Sequence, residues 1–107
     1  MPLLGHVGTL THRRIAGWAW DRDAPDERVW LVVSIERRVV GRIRADQFRE
    51  DVAIEGKGDG WCGFALDLPA GVLNVRRAYA ISVRRDGDST HLPGSPYVLE
   101  PAVRLVR

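Results

Sequence analysis

The chain reads as an all-β protein, an antiparallel two-sheet sandwich of seven or eight short strands with one short helical turn near residues 46–53. Three features predict this. Short runs alternate apolar and polar residues. Turn residues, chiefly Gly, Pro and Asp, interrupt those runs about every ten residues. No long stretch carries the apolar period of an amphipathic helix. Strands spaced this way without intervening helices form antiparallel layers rather than βαβ units. At 107 residues the chain fits a single domain, 1–107, with its core over about 7–100 and a tail over 101–107.

Taken in order, Val7 to Leu10 is the first strand and Thr11 to Arg14 a polar turn. Ile15-Ala16-Gly17-Trp18-Ala19-Trp20-Asp21 follows as the second strand, its two tryptophans at a spacing of two and so on one face. Trp18 is assigned to the core, which requires Ile15 on the opposite face or a bulge near Gly17. Trp20 is the member of the motif that reaches solvent, and Asp21 shapes the next loop. Arg22 to Arg28 holds turn formers and charges without periodicity and reads as that loop.

Val29 to Glu36 is the clearest strand, with Val29, Leu31, Val33 and Ile35 inward and Trp30, Val32, Ser34 and Glu36 on the other face. Arg37-Arg38 connects it tightly to the return strand Val39 to Arg44. Asp46 as an N-cap, with Phe48 and Val52 four apart behind it, predicts a short helix that drapes an apolar face over the sheet end. Gly56-Lys57-Gly58-Asp59-Gly60 is a glycine-rich loop. Beyond it Trp61 to Leu68 alternates, with Cys62, Phe64, Leu66 and Leu68 inward. Val72 to Arg77 is an irregular linker. Ala78 to Arg84 is another strand, Arg85-Asp86-Gly87-Asp88 a hairpin turn, Thr90 to Leu92 its return, Pro93 to Pro96 a bend, and Tyr97 to Leu99 the last strand. The tail lies on the surface or is ordered by a neighbour.

An apolar share of 45% and a charged share of 28% are those of an ordinary globular domain. Sixteen basic side chains against fourteen acidic leave a net charge of only +2, which argues against a nucleic-acid partner. The lone Cys62 has no partner for an intramolecular disulfide and reads as a small buried apolar residue. No apolar run is long enough to span a membrane, and Met1-Pro2-Leu3-Leu4 is too short for a signal-peptide core. The expectation is therefore no membrane insertion and no export signal in this chain. A domain excised from a longer protein of the bacterial cytoplasm or cell surface reads the same way.

Catalytic signatures are missing from the sequence. His6, His12 and His91 sit in turn or terminal segments without metal-ligand spacing, and no serine lies in a nucleophile elbow. No cofactor is expected. Asp21, Asp23 and Asp26, or Asp59 near Asp51, offer oxygens that suit Ca²⁺, but turn chemistry explains Asp there better, and calcium is not favoured. The arginine pairs at 13/14, 37/38, 76/77 and 84/85 can grip an anionic polymer or serve as solvated strand ends, and the weak net charge favours the second.

Several segments taken together resemble a known family. They are Gly17-Trp18-Ala19-Trp20-Asp21, Arg28-Val29, Val40-Gly41-Arg42 with Ala45-Asp46, Arg49-Glu50-Asp51-Val52, Gly58-Asp59-Gly60 with Gly63-Phe64, and Leu92-Pro93-Gly94-Ser95-Pro96. The chain resembles, over about residues 8 to 100, the accessory β-domain appended to proteobacterial glycosyltransferases, sulfotransferases and related surface-polysaccharide proteins. The resemblance implies an immunoglobulin-like or jelly-roll-like sandwich without catalytic residues, which binds glycan or positions a neighbouring enzyme domain. It carries over no ligand residues.

The tryptophans are the functional handle, because sugar rings stack their C–H faces on flat aromatics while Asp and Arg neighbours bind hydroxyls. Trp30 and Trp61 alternate against inward residues and are expected to be exposed. The candidate ligand-binding set is Trp30, Trp61, Trp20, Asp21, Asp23, Asp59 and Arg42. Two functions fit: a non-catalytic module that recognises a bacterial glycan or polysaccharide, or an assembly module in which the outward Trp30 and Val32 bury against a second copy or a tethered enzyme domain.

Overall fold

The computed structural model describes residues 2–103. Its elements in chain order are β1 (Leu3–Leu10), β2 (Arg14–Asp21), β3 (Trp30–Ile35), β4 (Arg38–Arg44), β5 (Gln47–Phe48), α1 (Glu50–Ile54), β6 (Trp61–Asp67), β7 (Tyr79–Arg85) and β8 (Tyr97–Leu99). They form two four-stranded antiparallel sheets, β1-β2-β6-β5 and β4-β3-β7-β8. The two-sheet sandwich expected from the alternation is therefore the observed fold. Residues 104–107 of the expected tail lie outside the described residues. Pro101–Val103 are tied back to the 72–77 linker, where Ala102 and Val103 both donate to the Val75 carbonyl at 2.8 and 3.0 Å.

The core forms where the inward sets of the two sheets meet. Leu31, Val33 and Ile35 of β3 and Ile81 and Val83 of β7 face Ile15 and Ala19 of β2 and Phe64 of β6, all buried. The inward sets of β3 and β6 match the alternation, with Leu66 packed at the margin. Ser34 departs from it. Although on the outer face, it is buried, because Arg84 from the neighbouring strand reaches across it, its Nη2 3.5 Å from the Ser34 hydroxyl.

Trp18 is not a core residue. Burial along β2 alternates without interruption, with Ile15, Gly17, Ala19 and Asp21 buried and Trp18 and Trp20 half-buried on the outer face. The bulge does exist near Gly17, but it lies on β1, where the register slips between Val7 and Thr9, so the parity of β2 survives. At that slip the backbones close in. A Cβ built on Gly17 would lie 1.9 Å from the His6 carbonyl oxygen, so only glycine fits.

The first strand begins four residues earlier than the pattern suggested, since Leu3 pairs with Asp21 and is buried. The helix is displaced and shortened. Gln47 and Phe48 pair with Gly63 and Trp61 as β5, which holds the backbone extended as far as Arg49. The helix cannot start before Glu50. Arg49, not Asp46, stands at the N-cap, without a side-chain cap bond, and Val52 is the one buried helical residue. The return after the Asp-Gly turn is reduced to a single bridge between Arg84 and His91. The β3–β4 hairpin turns through Glu36 and Arg37, both at positive φ (50° and 68°), the hand that suits a two-residue hairpin loop. No helix among the described residues is long and apolar enough to cross a membrane.

Candidate functional site

Strand pairing gathers aromatics on the outer face of the first sheet. Trp18 sits opposite Gly63 on β6, so strand parity sends Trp18, Trp20 and Trp61 to the same side. The segment running from α1 through the glycine loop folds over part of that face. Gly58, at φ +66°, passes so close to Trp20 that a Cβ there would lie 2.7 Å from the indole Nε1. That indole nitrogen donates to the Pro25 carbonyl at 3.2 Å, so Trp20 is clamped between two loops with its polar atom satisfied. The Lys57 ammonium lies 5.2 Å from the centre of the Trp18 ring.

The uncovered part of the face holds Trp61 and Phe48, each 49% exposed. Their ring centroids are 5.3 Å apart and the rings are inclined by 53°. Cross-strand pairing of β5 with β6 makes this pair, since Phe48 is the register partner of Trp61.

Polar groups flank it. Arg28 holds Asp59 with two parallel bonds of 2.9 and 2.8 Å, and the Trp61 N–H donates to the same carboxylate at 3.0 Å. The Arg28 guanidinium first, and the Trp61 N–H second, bring the Asp59 carboxyl down to a pKa of about 2. Asp59 in turn raises the pKa of Arg28. Arg49 makes a second fork on Asp51, at 3.1 and 2.8 Å, and lowers its pKa. The result is an exposed aromatic pair beside two forked ion pairs with fixed charges. Such a surface can stack on an apolar ring face and exchange hydrogen bonds with hydroxyls at the rim.

The predicted set is split by the fold. Trp61, Trp20 and Asp59 come together around the glycine loop. Trp30 and Arg42 lie on the opposite side of the molecule, on the outer face of the second sheet, where the Arg42 guanidinium sits 4.0 Å from the Trp30 ring centre. Arg42 is anchored there by Asp86 at 2.6 Å and covers a position on which a ligand ring would stack. Trp30 is 40% exposed. Asp21 is not at the surface. It is buried and faces Arg85 of the other sheet at 2.6 Å. Asp23 is exposed in the following loop, its N–H donating to Asp21 Oδ1 at 2.8 Å. The aspartates of this loop do not converge, and among the described residues no three His, Cys, Asp or Glu side chains gather.

Three contributors escaped sequence reasoning: Phe48, Arg28 and Arg49. The four-residue spacing of Phe48 to Val52 mimics a helical face. Only the long-range pairing with β6 reveals Phe48 as a strand residue. Arg28 carried no local sign of a partner thirty-one positions away. The chain matches no protein-family model, no curated protein and no solved structure.

Proposed function

We propose that the domain is a non-catalytic carbohydrate-binding or accessory module that takes a bacterial glycan on Trp61 and Phe48. One observation carries this reading: the two rings are exposed side by side and edged by the forked Arg28–Asp59 pair. Flat apolar surface with hydrogen-bonding groups at its margin is what a sugar ring needs, since its C–H face is apolar and its edge is hydroxylated. The resemblance to domains attached to surface-polysaccharide enzymes supports the same ligand class, in a longer bacterial protein where this domain brings a neighbouring enzyme to its polymer.

Titration with bacterial polysaccharides, following tryptophan fluorescence, tests the proposal. A saturable change that disappears in Trp61→Ala and persists in Trp30→Ala supports it; no change with any glycan overturns it.

A second reading, an assembly module, is favoured by the edge strand β4. Val39 and Val40 are exposed there, 60% and 37%, on a strand with one unpaired backbone edge. Light scattering on size-exclusion separates the readings: a dimer dispersed by Val39→Lys supports assembly, and a monomer that binds glycan supports the first.

A further inference from the structure

We propose that the outer face of the β4-β3-β7-β8 sheet holds a separate site for a tetrahedral oxyanion, a sulfate or phosphate group, received by Arg84 and Arg37. This site is independent of stacking on Trp61 and stands whether or not that reading does.

The site begins with unequal treatment of the arginines. Arg14, Arg28, Arg42, Arg49 and Arg85 each meet a carboxylate at 2.6 to 2.8 Å. Arg84 and Arg37, like Arg13, Arg22, Arg38, Arg44 and Arg76, meet none among the described residues, and what sets Arg84 apart is its place in the sheet. Arg84 lies on β7 in the middle of the sheet, its Nη2 making one long contact of 3.5 Å to Ser34, and its Nε is buried without any partner. A buried donor left unpaired is costly, and a guanidinium has five donors to satisfy.

Beside it is a groove of about 390 Å³ lined by Arg37, Ala80, Ser82, His91 and Pro96. Register places these groups together. Ser82 is the partner of Ser34, which Arg84 touches, and His91 is bridged to Arg84 itself. The His91 Nδ1 is held by the Ser95 hydroxyl at 2.8 Å, which orients the ring and leaves Nε2 for a ligand. Arg37 enters from the hairpin end, its backbone fixed at φ 68° by the two-residue turn.

Charge points the same way. By register, Arg42, Arg44 and Arg84 share this face with Arg37 at its end, a concentration that a whole-chain charge of +2 conceals. The nearby acids are already paired, and Glu36 is so at the groove itself, on the lining residue Ala80. Asp86 holds Arg42 at 2.6 Å, and Glu36 accepts from the Ala80 N–H at 3.3 Å and faces Arg77 at 3.7 Å. Arg37 and His91 line the groove, and Arg84 stands next to it, bridged to His91 and touching Ser34, the register partner of Ser82. Guanidinium groups with an imidazole beside them suit an oxyanion such as sulfate or phosphate.

The test follows amide resonances of the whole chain during titration with sodium sulfate, sodium phosphate, sodium acetate or sodium chloride at constant ionic strength. Saturable shifts at Ser82, Arg84 and His91 with sulfate or phosphate, on the order of millimolar affinity, are expected, weakened roughly tenfold or more in Arg84→Gln. Tighter sulfate identifies a sulfate ester as the natural group, and tighter phosphate a phosphate ester. Arg37→Asn, which keeps the left-handed turn, must also weaken binding, and it carries the test if Arg84→Gln does not fold. Trp61→Ala must leave it unchanged. Shifts that rise linearly, that chloride or acetate reproduce, or that survive both arginine variants overturn the proposal.

Discussion

The Asp21 carboxylate at the end of β2 and the Arg85 guanidinium at the end of β7 meet at 2.6 Å, joining the two sheets by a charge pair at one end of the sandwich. Asp21 is almost wholly enclosed, and its second oxygen accepts the Asp23 N–H, so one side chain fastens the sheets and starts the loop toward β3. The residue that closes the tryptophan motif is a structural fastener.

That pair makes stability depend on pH in a definite direction. Burial works to raise the Asp21 pKa, but the Asp23 N–H, the Arg85 guanidinium and the Ala24 N–H outweigh it, and the net shift is downward. A carboxyl depressed in the folded state adds stability above its unfolded value, 3.8, and that contribution fades as pH falls below it. Asp21→Asn is expected to cost about 2–3 kcal/mol at pH 7, since it strands the Arg85 charge. Urea melts at pH 7 and pH 3 check this, and the variant is expected to lose less than the parent on acidification.

Gly17→Ala is expected to destabilise by more than about 3 kcal/mol, or to prevent folding. The added methyl would meet the His6 carbonyl oxygen at 1.9 Å, and both partners are backbone in paired strands, so neither can yield cheaply. Thermal melting with circular dichroism measures it.

At the β3–β4 hairpin the opposite sign is expected. Arg37 holds φ at 68°, a conformation that costs a side-chain-bearing residue about 1 kcal/mol and glycine little. Arg37→Gly should raise stability by up to about 0.5 kcal/mol in urea melts, the relieved strain being partly offset by the greater freedom of glycine in the unfolded chain, while leaving the Glu36 side chain on the Ala80 N–H.

Asp59 is expected to stay ionised well into acid, with a carboxyl resonance that titrates at about 2 and moves toward the ordinary value near 3.8 in Arg28→Gln. Its depressed pKa means that the Arg28 pair persists at all pH values above the unfolded value and is lost as pH falls through about 2. Carbon-detected titration of the side chain checks this. The glycan binding proposed at Trp61 should accordingly be flat from pH 8 to pH 5, because the aspartate beside it does not change charge there.

Trp61→Ala and Phe48→Ala should each cost about 1–2 kcal/mol, since half of each side chain contacts solvent and each variant loses the ring pair. Any larger loss of ligand affinity in these variants then reports the contact itself.

Much of this architecture is local. Alternation over 29–36 and 61–68 was enough to orient β3 and β6, since a period of two leaves only two choices of face and only one is apolar. The exposure of Trp30 and Trp61 followed from the same rule. Trp18 lies outside the core because strand parity outranks side-chain bulk: Ile15 and Ala19 fill the inward side of β2, and β1 absorbs the slip that brings the backbones together. The helix failed because β5 pairs with β6, and a strand partner thirteen residues along the chain overrides a local four-residue spacing. Sequence alone therefore determined the class of fold, the inward faces of the long strands and the pool of aromatic and charged side chains. Tertiary structure decided which of them meet: Trp61 with Phe48, Arg28 with Asp59, Arg42 over Trp30, and Asp21 with Arg85. The physical reason is that facing within a strand is set by the backbone period, whereas partnership across strands depends on sheet order and register, which no single segment encodes.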